Sequence, residues 1–277
     1  MSSGTGREGL LNWVEIDLSR IERNVAELVR FAAGTPLLVV VKADAYGHGM
    51  LPVAHRVLTA GARFLGVGNV DEGRTLRRDG ILAPILVLQP PLPDQVLLAV
   101  SENLRVTVTN RREALAVSEA ACRVGRKAFV HLKVDTGMGR FGATVQEAEA
   151  LLKYLLSLPG VHVEGVFSHL SCVDEPGHPL TPLQIQRFRQ LMAACSRVCP
   201  HPLMFHLANS GAFFLHSDIR LDLCRIGLAA YGIYPVKPEP AHSLPAGWPQ
   251  VEPAMSLHAR VVAVREMADG WPIGYGA

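Results

Sequence analysis

At 277 residues, with charged side chains making up 19% and a net charge of only +2, the chain can bury a large core. It carries no field that would hold nucleic acid or an anionic membrane, so a small molecule is the expected ligand. The polar start Met-Ser-Ser-Gly-Thr-Gly-Arg-Glu-Gly has no apolar stretch behind it, and no run approaches a membrane span, so the chain reads as soluble and cytoplasmic. Five cysteines, at 122, 172, 195, 199 and 224, are odd in number and scattered, which suits a reducing compartment rather than a disulfide framework. Cys195 and Cys199 lie near His201 but lack the second spaced pair of a zinc site, and read as a helix face.

Taken in chain order, short β-branched runs alternate with amphipathic stretches. The pattern predicts strands over 37–41, 64–67, 85–88, 104–108, 129–134, 163–167, 204–207 and 221–225. Helices are expected over 71–80, which has an acidic first turn, a basic last turn and a terminal glycine, and over 113–124, 146–156 and 183–198. Eight strands with intervening helices predict an α/β fold, a (β/α)8 TIM-type barrel covering residues 10–235. Lys42, Asn69, Gln89, Asn110, Asp135, His169, Asn209 and Arg225 then fall at or just beyond strand C-terminal ends, the face where such barrels assemble their sites. From Tyr234 the texture turns proline-rich, which predicts a linker over 236–254. The alternation over 255–265 opens a β module, but one strand and a turn bring the chain to Ala277. An isolated strand is not stable, so 255–277 reads as the start of an incomplete C-terminal β domain.

Several strings carry chemistry. Val39-Val40-Val41-Lys42-Ala43-Asp44-Ala45-Tyr46-Gly47-His48-Gly49 runs from a buried strand into a lysine and a glycine-bearing turn, a place where desolvation favours a neutral, nucleophilic amine. His131-Leu-Lys133-Val-Asp-Thr-Gly-Met-Gly-Arg140 follows a strand and turns through two glycines towards the barrel mouth. Val166-Phe-Ser-His169, Phe205-His206-Leu-Ala-Asn209-Ser210 and Leu223-Cys-Arg225-Ile-Gly227-Leu228 follow the later strands, and Tyr275-Gly-Ala closes the chain. In this order the strings resemble the alanine racemase family, from Trp13 to the end of the chain.

That resemblance implies pyridoxal phosphate (pyridoxal 5'-phosphate, PLP) held covalently by Lys42, with Tyr46, Ser210, Gly227 and Leu228 at its phosphate and His169 against its ring. Ser210 also stands where it could cap a helix. Arg225 would face the pyridine nitrogen, with His206 helping to hold it and Asn209 close by. An arginine there does not donate a proton at neutral pH, which weakens the electron sink and suits racemisation. Arg140 would bind the substrate carboxylate through its planar fork. Lys133 matches a lysine carbamylated in the family; unmodified, it would be an ordinary inward ion-pairing lysine.

Racemisation needs one proton removed and another delivered on the opposite face, and by resemblance Lys42 and Tyr275 share that work. The tyrosine would come from the partner subunit of a head-to-tail homodimer. The implied function is interconversion of L-alanine and D-alanine, supplying D-alanine for peptidoglycan, with little or no activity expected of this chain alone. Serine is the nearest alternative substrate, because a pocket shaped for a methyl group rejects a hydroxyl poorly. A barrel that binds the cofactor without turnover is the alternative outside the enzymes.

Overall fold

The computed structural model describes residues 9–235 and 247–275, which fall in two compact units. The larger unit, Asp17–Ala254, is built on eight parallel strands. These are β1 (Leu37–Val40), β2 (Phe64–Val67), β3 (Ile85–Val87), β4 (Arg105–Val108), β5 (Ala128–Asp135), β6 (Val161–Phe167), β7 (Met204–His206) and β8 (Cys224–Ile226). Strand β8 pairs with β1, and the order then runs in sequence to β7. Backbone bonds from Asp222 N to Phe205 O (3.1 Å) and from Arg225 N to Ala208 O (3.0 Å) join the two ends, so the barrel is nearly closed.

Helices alternate with the strands: α1 (Leu18–Phe31), α2 (Met50–Thr59), α3 (Val70–Arg78), α4 (Val96–Ser101), α5 (Arg111–Val124), α6 (Val145–Ser157), α7 (Leu180–Val198) and α8 (Ser210–Leu215). Their starts are set by side chains that accept otherwise orphaned backbone donors. Asn69 accepts from Glu72 N, Asn110 from Glu113 N and Asn209 from Ala212 N, while Thr144 and Glu147 form a reciprocal capping box. The last barrel strand begins three residues later than the expected 221–225. Leu221 takes φ +52°, which breaks extended backbone, and Asp222 turns its carboxylate onto Phe205 N at 2.8 Å.

The barrel interior is divided. Leu38, Val40, Phe64, Leu86 and Leu223 form an apolar cluster with Leu88 and Met204 against it. Removing one such side chain, as in Leu86→Ala, would cost about 2–5 kcal/mol. From β4 to β8 polar side chains turn inward instead: Arg105, Thr107, His131, Lys133, His206 and Arg225. In β6 the pairing with β5 shifts between Val130 and His131, so Glu164 is an extra residue that the partner strand does not match.

Prolines bar helix and central strand but not packing in an extended path. The described part of the expected linker, 247–254, accordingly lies against the barrel; residues 236–246 are outside the described residues. Asn24 donates to Glu252 O and accepts from Glu252 N, each at 2.9 Å, Trp248 packs on Phe214 at 4.7 Å, and Val251 and Ala254 are buried.

In the smaller unit Asn12–Ile16 pairs antiparallel with Met255–Ala259, from Asn12 opposite Ala259 to Ile16 opposite Met255. The sequence placed residues 10–16 with the barrel and expected the later strand to run to 265. Its regular structure stops at Ala259, opposite Asn12. Among the described residues no helix is long and apolar enough to cross a membrane.

Candidate active site

The chain leaves β1 through Val41 and makes one left-handed turn immediately after Lys42. Ala43, Asp44, Ala45 and Tyr46 all have φ between +51° and +53°. Each such residue costs on the order of 1–2 kcal/mol, so neighbouring groups must hold the turn. Glu72 does so with both oxygens, accepting from Ala43 N (2.8 Å) and Gly68 N (2.7 Å). Asp44 accepts from Met50 N at 2.7 Å, and the Tyr231 hydroxyl donates to Val40 O at 2.8 Å. The turn sets Lys42 and Tyr46 on the wall of a cavity of about 350 Å³ at the C-terminal end of the barrel.

Of the residues singled out from sequence, Lys42, Tyr46, Lys133, Arg140, His169, Asn209, Ser210, Arg225, Gly227 and Leu228 all line this cavity. Arg225 is its buried pole. One guanidinium nitrogen donates to His206 Nδ1 (3.0 Å) and His206 O (2.8 Å); the other donates to Ser168 O (2.6 Å) and Leu207 O (3.0 Å) and lies 3.3 Å from His169 Nδ1. Burial draws the pKa of Arg225 down to about 10, which leaves it a cation at neutral pH. His206 lies behind the wall, fully buried and stacked on Phe167 at 4.7 Å.

Charge is concentrated here. Lys133 Nζ sits 4.4 Å over the Phe167 ring, and burial, then the Arg225 and Arg140 charges, pull its pKa down to about 7. Burial together with Arg225 and Lys133 holds His169 well below the ordinary imidazole value, so its ring is neutral. Arg140 is exposed at the rim, on a loop tied down by Asp135, which accepts from Gly137, Met138 and Gly139 N at 2.7–2.8 Å. Burial works to raise the Asp135 pKa, but these donors and the Arg140 backbone hold it below the ordinary value.

A second corner of the cavity is made by Ser210, Gly227, Leu228 and Tyr46. The Ser210 hydroxyl accepts from Gly227 N at 3.0 Å, whereas the cap of α8 is Asn209; Ser210 therefore does not cap the helix, being one position too far along to reach the free donors. A Cβ on Gly227 would come 3.4 Å from the Tyr46 hydroxyl oxygen, so the corner is kept open by that glycine.

Tyr275 belongs to the smaller unit and is fully exposed (111%), and Gly276 and Ala277 of its string lie outside the described residues. Sequence reasoning missed Glu72, Phe167 and the acid Glu164. Nothing local in the sequence announced the bulge that turns Glu164 inward.

Comparison with known proteins bears on this site. The family model "Alanine racemase, N-terminal domain" matches residues 16–235. A curated alanine racemase of Symbiobacterium thermophilum is 42% identical over 265 residues, covering 95% of this chain and 68% of that protein. One from Thermobifida fusca is 38% identical, covering 94% and 69%. Among solved structures, the alanine racemase of D-cycloserine-producing Streptomyces lavendulae superposes with a TM-score of 0.84 at 36% identity, covering 96% of this chain and 69% of that one. The Bacillus anthracis enzyme with bound L-Ala-P gives a TM-score of 0.80 at 33% identity, covering 96% and 68%. With the barrel, the lysine turn and the arginine pole all in place, the chain belongs to the alanine racemase family of pyridoxal-phosphate-dependent isomerases.

Proposed function

We propose that the Asp17–Ala254 unit is the pyridoxal-phosphate barrel of an alanine racemase, and that residues from 255 onward begin a second, β-rich domain. The observation that carries this reading is the convergence of Lys42, Arg225, His169 and the Ser210–Gly227 corner on one cavity. The donor set fits the cofactor. It offers a primary amine for an aldehyde, a hydroxyl and backbone donors for a phosphate, and a guanidinium cation for a ring nitrogen that stays unprotonated. When bound, the cofactor supplies the electron sink that makes the substrate α-proton removable.

The chain's own residues do the rest. Lys42 Nζ removes and returns a proton on one face of the substrate α-carbon. Arg140 would hold the carboxylate at the rim, Arg225 would donate a hydrogen bond to the ring nitrogen without giving it a proton, and the neutral His169 would lie against the ring. Lys133, partly neutral near pH 7, adds CO2 at its nitrogen and loses a proton to become a carbamate anion facing Arg140 and Arg225. Tyr275, as phenol or phenolate, serves the opposite face of the α-carbon in the active site of a partner subunit within a homodimer. The product D-alanine serves peptidoglycan synthesis in the cytoplasm, and alanine is preferred to serine.

An unassociated chain lacks the partner's Tyr275, which leaves Lys42 to serve a single face. The expected behaviour is α-proton exchange with retention and little inversion. The test is NMR of L-alanine in D2O with the cofactor-loaded chain. Deuterium should enter at the α-carbon while D-alanine lags by tenfold or more (about 1.4 kcal/mol in barrier), and Lys42→Ala should abolish exchange beyond that of free cofactor. D-alanine appearing as fast as deuterium would mean that a second base already stands in the cavity.

A further inference from the structure

Barrel interiors are normally filled with layers of branched apolar side chains. Here a file of polar groups descends from Arg225 towards the opposite end of the barrel, and the reaction as described uses none of them beyond His206. His206 Nε2 is 2.8 Å from His131 Nδ1, and His131 Nε2 is 2.9 Å from Glu164 Oε2. Arg105 closes the file, its Nε and terminal nitrogen donating to Glu164 at 3.2 and 3.3 Å while its guanidinium lies 4.6 Å over Phe129. Both imidazoles are fully buried.

Two backbone features exist for this file. The irregularity in β6 makes Glu164 the unmatched residue and aims its carboxylate at His131 instead of along the regular alternation. The next residue is Gly165, where a Cβ would meet His131 Nδ1 at 2.7 Å and Met204 O at 2.6 Å, so the seat of the His131 ring requires a glycine.

Donor and acceptor inventory fixes the direction of every bond. Arg225 has no acceptor, so His206 Nδ1 must be unprotonated and its hydrogen must sit on Nε2. That hydrogen is donated to His131 Nδ1, which places the His131 hydrogen on Nε2, facing the carboxylate. The reverse polarity would set a His206 Nδ1–H against the Arg225 donors with no acceptor between them.

We infer that Glu164, clamped by Arg105, is a positioning residue for Arg225: as the acceptor at the far end of the file it holds His131 in the neutral Nε2–H tautomer that agrees with the polarity Arg225 sets at His206, leaving His206 Nδ1 as an acceptor for a charged guanidinium. Burial works to raise the Glu164 pKa, but the His131 and Arg105 contacts bring it down to about 2, so the anchor is a carboxylate throughout the physiological range. Burial, with Arg225 and His131, holds His206 well below the imidazolium range. The consequence is that the group meeting Arg225 at the cavity receives a hydrogen bond from a permanently charged donor. That consequence rests on the cofactor reading above, whereas the tautomers are read without cofactor, so the two can fail separately.

Long-range 1H–15N correlation of the histidine-labelled chain tests the relay. His131 and His206 should both show an unprotonated Nδ1 and a protonated Nε2, unchanged from about pH 6 to about pH 9, on either side of the free imidazole pKa of about 6.5. Glu164→Gln, whose amide oxygen still accepts, should keep that pattern. Glu164→Leu, which accepts nothing, should lose it at His131, while His206 keeps the polarity that Arg225 sets. Either ring found as Nδ1–H or as imidazolium in the unmodified chain would overturn the inference, whether or not the leucine variant folds. So would a folded Glu164→Leu chain with both tautomers unchanged.

Discussion

Lys133 shows what burial among cations does to a single group. Its amine has lost water and feels the Arg225 and Arg140 charges, which the opposing Asp135 charge offsets only in part, so its pKa falls to about 7. A neutral amine is the form that reacts with CO2. With 13C-labelled bicarbonate near pH 8 the chain should therefore show a carbamate carbon resonance that is absent from Lys133→Arg; a resonance surviving in that variant would place the modification elsewhere. Glu164 works in the opposite direction. Its folded-state pKa of about 2 lies below the ordinary 4.5, so it contributes stability that is complete above pH 4.5 and is lost as pH falls towards 2. Denaturant titrations at stepped acid pH should show a shallower loss in that window for Glu164→Gln than for the unmodified chain. Equal acid limbs would mean that the carboxylate pairs no better when folded than when unfolded.

Two elements shape the site, the left-handed turn after Lys42 and the bulge in β6, and they differ in how they are written in the sequence. The turn is held by Glu72, which spends one oxygen on each of two backbone donors. Glu72→Gln leaves one acceptor for two donors and should lower stability by about 1–3 kcal/mol, with weaker cofactor binding. Ala43→Gly relaxes a residue at φ +51° and should be neutral or stabilising by up to about 1 kcal/mol. Chemical denaturation checks both, and an Ala43→Gly chain markedly less stable than its parent would count against strain at this turn. The cavity lysine was legible because its string is unlike that of an ordinary strand end. The turn's handedness was not legible, since alanine and tyrosine disfavour φ near +50° and one aspartate, which tolerates it as a single residue, does not mark a run of four. Glu164 was not legible either, because a bulge moves one residue out of the alternation without any local mark.

At the scale of the molecule, each of the eight barrel strands overlaps a short run expected from the sequence, clearest in β1 to β3, whose residues are buried and apolar throughout. What escaped was pairing at a distance. Asn12–Ile16 finds Met255–Ala259 across some 240 residues of chain, and no periodicity encodes a partner so remote. Leu257 on that pair and Val261, Val262, Val264 and Ile273 beyond it are exposed in the smaller unit. A cluster of exposed apolar side chains promotes association. A Val261→Glu, Val264→Glu double variant should accordingly sediment as a smaller species than the unmodified chain at equal concentration, and identical profiles would remove this strip as the cause. The larger unit stands or falls on one covalent bond. Reducing the pyridoxal-phosphate-treated chain with borohydride and mapping the labelled peptide should place the pyridoxyl group on Lys42 and leave Lys133 unlabelled. A label on Lys133 or on any lysine outside the cavity would contradict the assignment of this barrel as a racemase cofactor site.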